Sequence, residues 1–134
     1  MAKQNDWNRT WMNNQRKKGL CIFCKEKIFG ESALCEKHFF ISVATSSLKD
    51  RTQGERLKEL FYVQDGRCYL SGRKLIAGKN ASIDHIFPIS KNQKMRNRIE
   101  NLRWCDKQVN NAKSNMNSKK FIAFCKEIVT YCEM

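Results

Sequence analysis

Apolar and polar positions alternate between two periods along this chain, and the changes of period mark its elements. Phe39, Phe40, Val43, Ala44 and Leu48 recur at helical spacing, and a polar break over 46–54 follows them. Leu57, Leu60 and Phe61, with Gln64, predict an amphipathic helix stopped by Asp65-Gly66. Residues 67–75 read as a hairpin turning at Ser71-Gly72. Ser82-Ile83 alternates into the polar pair Asp84-His85 as a short strand, and Pro88 then forces a turn. A second strand is predicted over 99–105, with Asn101 near its start. Asp106 is a good N-cap for a helix over 107–117. That helix puts Val109, Ala112 and Met116 on one face and Asn110, Lys113 and Asn117 on a neighbouring polar one. Ser118 is expected to cap a last helix whose stripe of Phe121, Phe124, Cys125, Ile128 and Cys132 is assigned to the core, a partner-binding face being the alternative.

The strand–strand–helix unit over 82–113 can bring Asp84, His85, Asn101 and Asn110 to one end. Those residue types suit metal-assisted phosphodiester cleavage. The Asp84 carboxylate and the Asn110 amide oxygen are hard ligands that favour Mg²⁺ or Mn²⁺ over Zn²⁺. His85, adjacent to Asp84, can take a proton from an attacking water. Lys113, one helical turn beyond Asn110, is expected to meet a phosphate as a point charge. Any one fragment alone reads more readily as a capped or solvated surface; three in order reverse that balance.

Asp84-His85-Ile86-x-Pro88, Asn101-Leu102 and Asn110-x-x-Lys113 together resemble the HNH endonuclease family, the ββα-metal fold. The resemblance covers about 57–117. It implies that His85 is the general base, that Asp84 and Asn110 are the metal ligands, and that Asn101 holds the histidine-bearing loop. It further implies products with a 5′-phosphate and a 3′-hydroxyl. Many members brace this unit with a four-cysteine zinc ribbon. Here Cys68-x-x-Ser71 keeps half of one pair, and Asp106 and Val109 stand where the other would be, so a second structural zinc is not expected.

Charge adds the partner. The chain has 134 residues, one domain's worth, and a net charge of +13 that points to a polyanion. Between 91 and 120, Lys91, Lys94, Arg96, Arg98, Arg103, Lys107, Lys113, Lys119 and Lys120 face only Glu100 and Asp106, a net of +7. Arg96, Arg98, Arg103 and Lys107 join Lys113 as expected nucleic-acid contacts. Trp7 and Trp11 at i, i+4, followed by Arg16-Lys17-Lys18, predict a docking helix, with a basic nucleic-acid arm as the alternative.

Cysteine adds the second metal. Cys21-x2-Cys24-x10-Cys35-x2-His38 supplies three thiolates and an imidazole, a closed tetrahedral set for structural Zn²⁺. Seven cysteines and no apolar leader argue against a disulfide framework and for an intracellular setting. No run approaches transmembrane length.

The expected architecture is α+β: a ββα-metal core with flanking helices and an N-terminal zinc knuckle, divided into 1–45 (arm and knuckle) and 55–134 (nuclease core with C-terminal helix). The expected function is metal-dependent cleavage of double-stranded DNA by a monomer, with a dimer as the alternative. Its compactness resembles phage or mobile-element nucleases. A catalytically silent, zinc-dependent nucleic-acid-binding protein is the competing reading, and an assembly protein the third.

Overall fold

The computed structural model describes residues 2–88 and 98–134, with side chains from residue 7 onward. In chain order it contains α1 (Ala2–Lys18), α2 (Glu36–Leu48), α3 (Gly54–Val63), β1 (Ala81–His85), β2 (Leu102–Asp106), α4 (Lys107–Lys113) and α5 (Ser118–Cys132). Short 3-10 turns at Arg51–Gln53 and Ile99–Asn101 precede α3 and β2. The architecture is α+β, with helices around one antiparallel two-stranded ribbon.

The register pairs Ile83 with Trp104, Asp84 with Arg103 and His85 with Leu102. A two-stranded ribbon is marginal by itself, and here packing on one side and a side-chain clamp support it. Trp104 is fully buried beside Phe39, Phe40 and Phe61, with ring centroids 5.4–6.0 Å away. Its indole N–H donates to the Leu57 carbonyl at 2.8 Å, so the polar edge of the ring is satisfied inside the core. Its backbone N–H and C=O face away from β1, where the Gln64 amide meets both, at 2.8 and 2.9 Å. Gln64, read as the end of an amphipathic face, thus substitutes for a neighbouring strand.

Phe39, Phe40, Ala44 and Leu48 of α2 share one apolar cluster with Leu57, Phe61, Leu102 and Trp104. The two sides of the 46–54 break therefore contribute to the same core. The knuckle segment also meets residues 77–78 closely, at two glycines. At Gly30 (φ 61°) an added Cβ would come 3.0 Å from the Ala77 carbonyl, and at Gly78 (φ 79°) one would come 2.6 Å from the Ser32 backbone. Both conformations suit glycine. The Glu31 N–H donates to the Ala77 carbonyl at 2.9 Å across the same contact.

Four expectations need correction. Residues 99–101 form a turn closed by the Asn101 N–H on the Arg98 carbonyl at 3.0 Å, so β2 begins at Leu102 and extends to Asp106. The helix expected to reach residue 117 ends at Lys113, where Ser114 takes φ 52°. That reversal frees Asn117, rather than Ser118, to cap α5 by accepting the Lys120 N–H at 2.9 Å, and lets the Ser118 N–H reach the Ile86 carbonyl at 3.3 Å. The stripe on α5 is not core either. Phe124 is 48% and Ile128 46% exposed, and Ser118 is the buried residue of the helix. Phe121, Cys125 and Val129 instead flank an open groove of about 720 Å³, with Leu70, Val109 and Ala112 opposite.

Asp106 carries the junction between β2 and α4. Its Oδ1 accepts the N–H groups of Gln108 and Val109 at 2.9 and 3.2 Å, Oδ2 accepts Asn80 Nδ2 at 2.9 Å, and Arg73 lies 3.4 Å from Oδ1. The Asn80 hydrogen bond is the main cause that lowers its carboxyl below the ordinary value; burial opposes this, and the helix N–H groups and Arg73 assist. The folded value lies below the unfolded one, so the stabilisation is complete above the usual aspartate value of about 3.9 and is lost as pH falls through the folded value. Asp106→Ala is expected to lower stability at neutral pH by about 0.5–2 kcal/mol. In denaturant titrations the gap from the parent protein should close on acidification; an equal gap at neutral and strongly acid pH would refute this account.

Candidate active site and metal centre

Asp84 and His85 are the last two residues of β1, and Asn110 lies midway along α4. The ββα arrangement brings them to a single cleft of about 170 Å³, lined also by Ile83, Pro88, Lys113, Ser114 and Asn115. Asn110 Nδ2 donates to Ser82 Oγ and to the Ile83 carbonyl, both at 3.2 Å. Anchoring the nitrogen on β1 turns the amide oxygen the other way. Asn101, 1% exposed, grips the chain just past the histidine. Its Oδ1 accepts the Phe87 N–H at 2.8 Å, its Nδ2 donates to the Phe87 carbonyl at 3.0 Å, and its backbone carbonyl accepts the Ile86 N–H at 2.8 Å.

Asp84 is buried, at 5% exposure. Its Oδ2 accepts the Tyr69 hydroxyl at 2.5 Å, and Tyr69 also meets Ser118 Oγ at 2.7 Å. Burial, and then the bond to Asp84, hold the Tyr69 phenol far above its ordinary range, so it remains a neutral donor. Sequence reasoning missed Tyr69 and Ser118, because nothing in their spacing ties either to Asp84. Lys113 also lies elsewhere than expected. It is 1% exposed, and its ammonium donates to Asp84 Oδ1 at 3.2 Å and to the His85 carbonyl at 2.9 Å. It sits beneath the cleft rather than on a phosphate-facing surface, because a buried carboxylate needs a charge partner.

Of the remaining basic residues, Arg98 and Lys107 are exposed and Arg103 is half-buried, with its guanidinium on the carbonyls of Glu100 and Leu102. Arg96, with Lys91 and Lys94, lies outside the described residues. In α1, Trp7 is 66% exposed and Trp11 is half-buried. Buried Gln15 ties the helix to the knuckle by donating to the carbonyls of Cys21 and Cys24 at 3.1 and 2.9 Å.

The second centre is built on the knuckle. The ligand atoms of Cys21, Cys24, Cys35 and His38 all lie within 4.8 Å of one another. Cys24 and Cys35 sulfurs are 3.7 Å apart, and His38 Nδ1 is 3.2 Å from Cys35 Sγ and 3.5 Å from Cys21 Sγ. A tetrahedron with Zn–S bonds of about 2.3 Å has S–S edges of about 3.8 Å, so the set fits zinc. Burial pushes the Cys21 thiol up, but N–H groups of Cys35, Phe23 and Cys24 outweigh it and bring it to about 6, which favours the ligating thiolate. At the site of the half-retained cysteine pair, Cys68 and Cys105 sulfurs touch at 3.7 Å and the Ser71 N–H points at Cys68.

The ββα unit thus brings an aspartate, a histidine and an asparagine to one cleft. The model of a family described as HNH endonuclease matches residues 69–118. The match begins at Tyr69 and ends at Ser118, the two residues that meet over Asp84. None of the curated proteins or solved structures compared matches the chain. Among the described residues, no helix is long and apolar enough to cross a membrane.

Proposed function

We propose that this protein is a metal-dependent endonuclease that hydrolyses phosphodiester bonds of double-stranded DNA, with His85 as the general base. One observation carries the reading: Asp84, His85 and Asn110 line the same cleft while Asn101 fixes the two residues after the histidine. Asp84 and Asn110 would hold Mg²⁺ or Mn²⁺. Each Asp84 oxygen accepts one hydrogen bond from Lys113 or Tyr69, and a carboxylate oxygen has a further lone pair to offer. When bound, the ion offsets the charge of the scissile phosphate and stabilises the leaving oxygen. His85 takes the proton of the attacking water, which leaves a 5′-phosphate and a 3′-hydroxyl. Arg98, Arg103 and Lys107, with Arg96, supply the cationic surface for the duplex. The knuckle holds a structural Zn²⁺.

A single site cleaves one strand at a time, so a monomer should nick. An intracellular setting, in a phage or mobile element, is part of the same proposal. Supercoiled plasmid incubated with the protein and Mg²⁺ or Mn²⁺ should convert to open circles, and EDTA should stop it. Plasmid retained on the protein at low salt but never cut would refute the enzyme and leave a silent nucleic-acid-binding protein.

A further inference from the structure

Lys113 is unusual in being a fully buried lysine whose charge meets the carboxylate assigned to a divalent ion. Its stem runs from the last turn of α4 under the cleft, and Nζ joins Asp84 Oδ1 (3.2 Å) to the backbone carbonyl of His85 (2.9 Å). Tyr69 holds the other Asp84 oxygen, and Ser118 of α5 meets Tyr69. The carboxylate is thus held from the segment over 67–75, which carries Tyr69, and from α4, with α5 behind the tyrosine. Arg103, opposite Asp84 in the ribbon, does not share this task, since its guanidinium donates to Glu100 and Leu102 carbonyls.

Two consequences follow from one charge. Burying a carboxylate without a counter-charge is strongly unfavourable, so the Lys113 ammonium keeps Asp84 and the end of β1 assembled when no ion is bound. The same ammonium repels any second cation on that carboxylate, and it does so where solvent screens little. A lysine suits this double role: it is a compact point charge whose donors leave the outward lone pairs of the aspartate open.

We propose that Lys113 is a built-in counter-cation for Asp84, which holds the empty site in shape and weakens its intrinsic metal affinity, so that the divalent ion is held firmly only once a nucleic-acid phosphate adds negative charge. This rests on the reading of Asp84 and Asn110 as divalent-ion ligands. Lys113 is a positioning residue that acts through Asp84. A purely structural lysine predicts the opposite sign, because its loss would loosen the ligands and weaken metal binding.

The test measures Mn²⁺ binding to the zinc-loaded, DNA-free protein from the electron paramagnetic resonance signal of the unbound ion. Lys113→Met keeps the length and apolar stem and removes the charge. Its Mn²⁺ dissociation constant should fall by about tenfold, the scale on which one neighbouring charge shifts an ionic equilibrium. Unchanged or weaker binding by the folded variant overturns the proposal. If circular dichroism shows that the methionine variant does not fold, Lys113→Gln, which keeps a donor without the charge, carries the same expectation. The unmodified protein gives an independent arm: Mn²⁺ should bind more tightly with a saturating phosphorothioate duplex than without it, and equal affinity overturns the proposal whatever the variants do. Mn²⁺ binding identical in the unmodified protein and Asp84→Ala would instead sink the ligand assignment on which the proposal stands.

Discussion

Replacing His85 by alanine is expected to lower the rate of plasmid cleavage by about 10²–10⁴, with DNA affinity close to that of the parent protein. The expectation combines a chemical role with a rigid mounting. His85 ends β1, its carbonyl is held by Lys113, and the next two residues are gripped by Asn101. None of those contacts uses the imidazole ring, so the variant should fold with Asp84, Asn110 and the basic surface intact. The defect should lie in proton transfer, and added Mg²⁺ should not relieve it. Asp84→Ala and Asn110→Ala should differ, because each removes a proposed metal ligand and a higher Mg²⁺ concentration can partly compensate. The parent rate should also fall on acidification as imidazole becomes protonated and loses the ability to accept a proton. Initial rates on supercoiled plasmid, with gel retardation for binding, separate these effects. Parent-level cleavage by His85→Ala would remove this histidine from the mechanism and require another group to act as the base.

Local grammar made much of this site legible. The Ser82–His85 alternation, the Asp106 cap and the Cys/His spacing are short-range signals, and each appears in the fold where its residues predicted it. Long-range partners were invisible. Tyr69 and Asp84 meet across 15 positions, and Tyr69 and Ser118 across 49, with no periodicity to connect them. Lys113 was misread for a related reason. Lysine is almost never buried unless paired, and the sequence does not show that Asp84 waits beneath α4. The α5 stripe illustrates a different limit, since amphipathic spacing reveals an apolar face and not what covers it. Asn101 was placed near the start of a strand over 99–105, yet its amide is committed to the loop after His85 and residues 99–101 form a turn.

Loss of the knuckle metal should have the largest effect on stability, although the knuckle lies outside the matched nuclease segment. Cys35 is both a proposed zinc ligand and the residue that starts α2, and His38 lies in that helix's first turn. The next two residues, Phe39 and Phe40, pack on Trp104, whose partner in β1 is Ile83, the neighbour of Asp84. A metal that fixes the start of α2 therefore fixes the aromatic core under the β1–β2 ribbon. Structural zinc contributes roughly 10–16 kcal/mol of binding free energy in zinc-finger peptides, as much as the whole stability of a typical domain at about 5–15 kcal/mol. Purified protein should contain about one zinc per chain. Cys35→Ser, which keeps the size but lacks the thiolate, should lose most of that zinc and its cooperative thermal transition at the parent's temperature. Prolonged chelation of the parent protein should reproduce the same loss, and restored Zn²⁺ should reverse it. Zinc content below about half an equivalent in protein that melts cooperatively would show that Cys21, Cys24, Cys35 and His38 hold together without a metal, and packing alone would then have to account for the order of the knuckle.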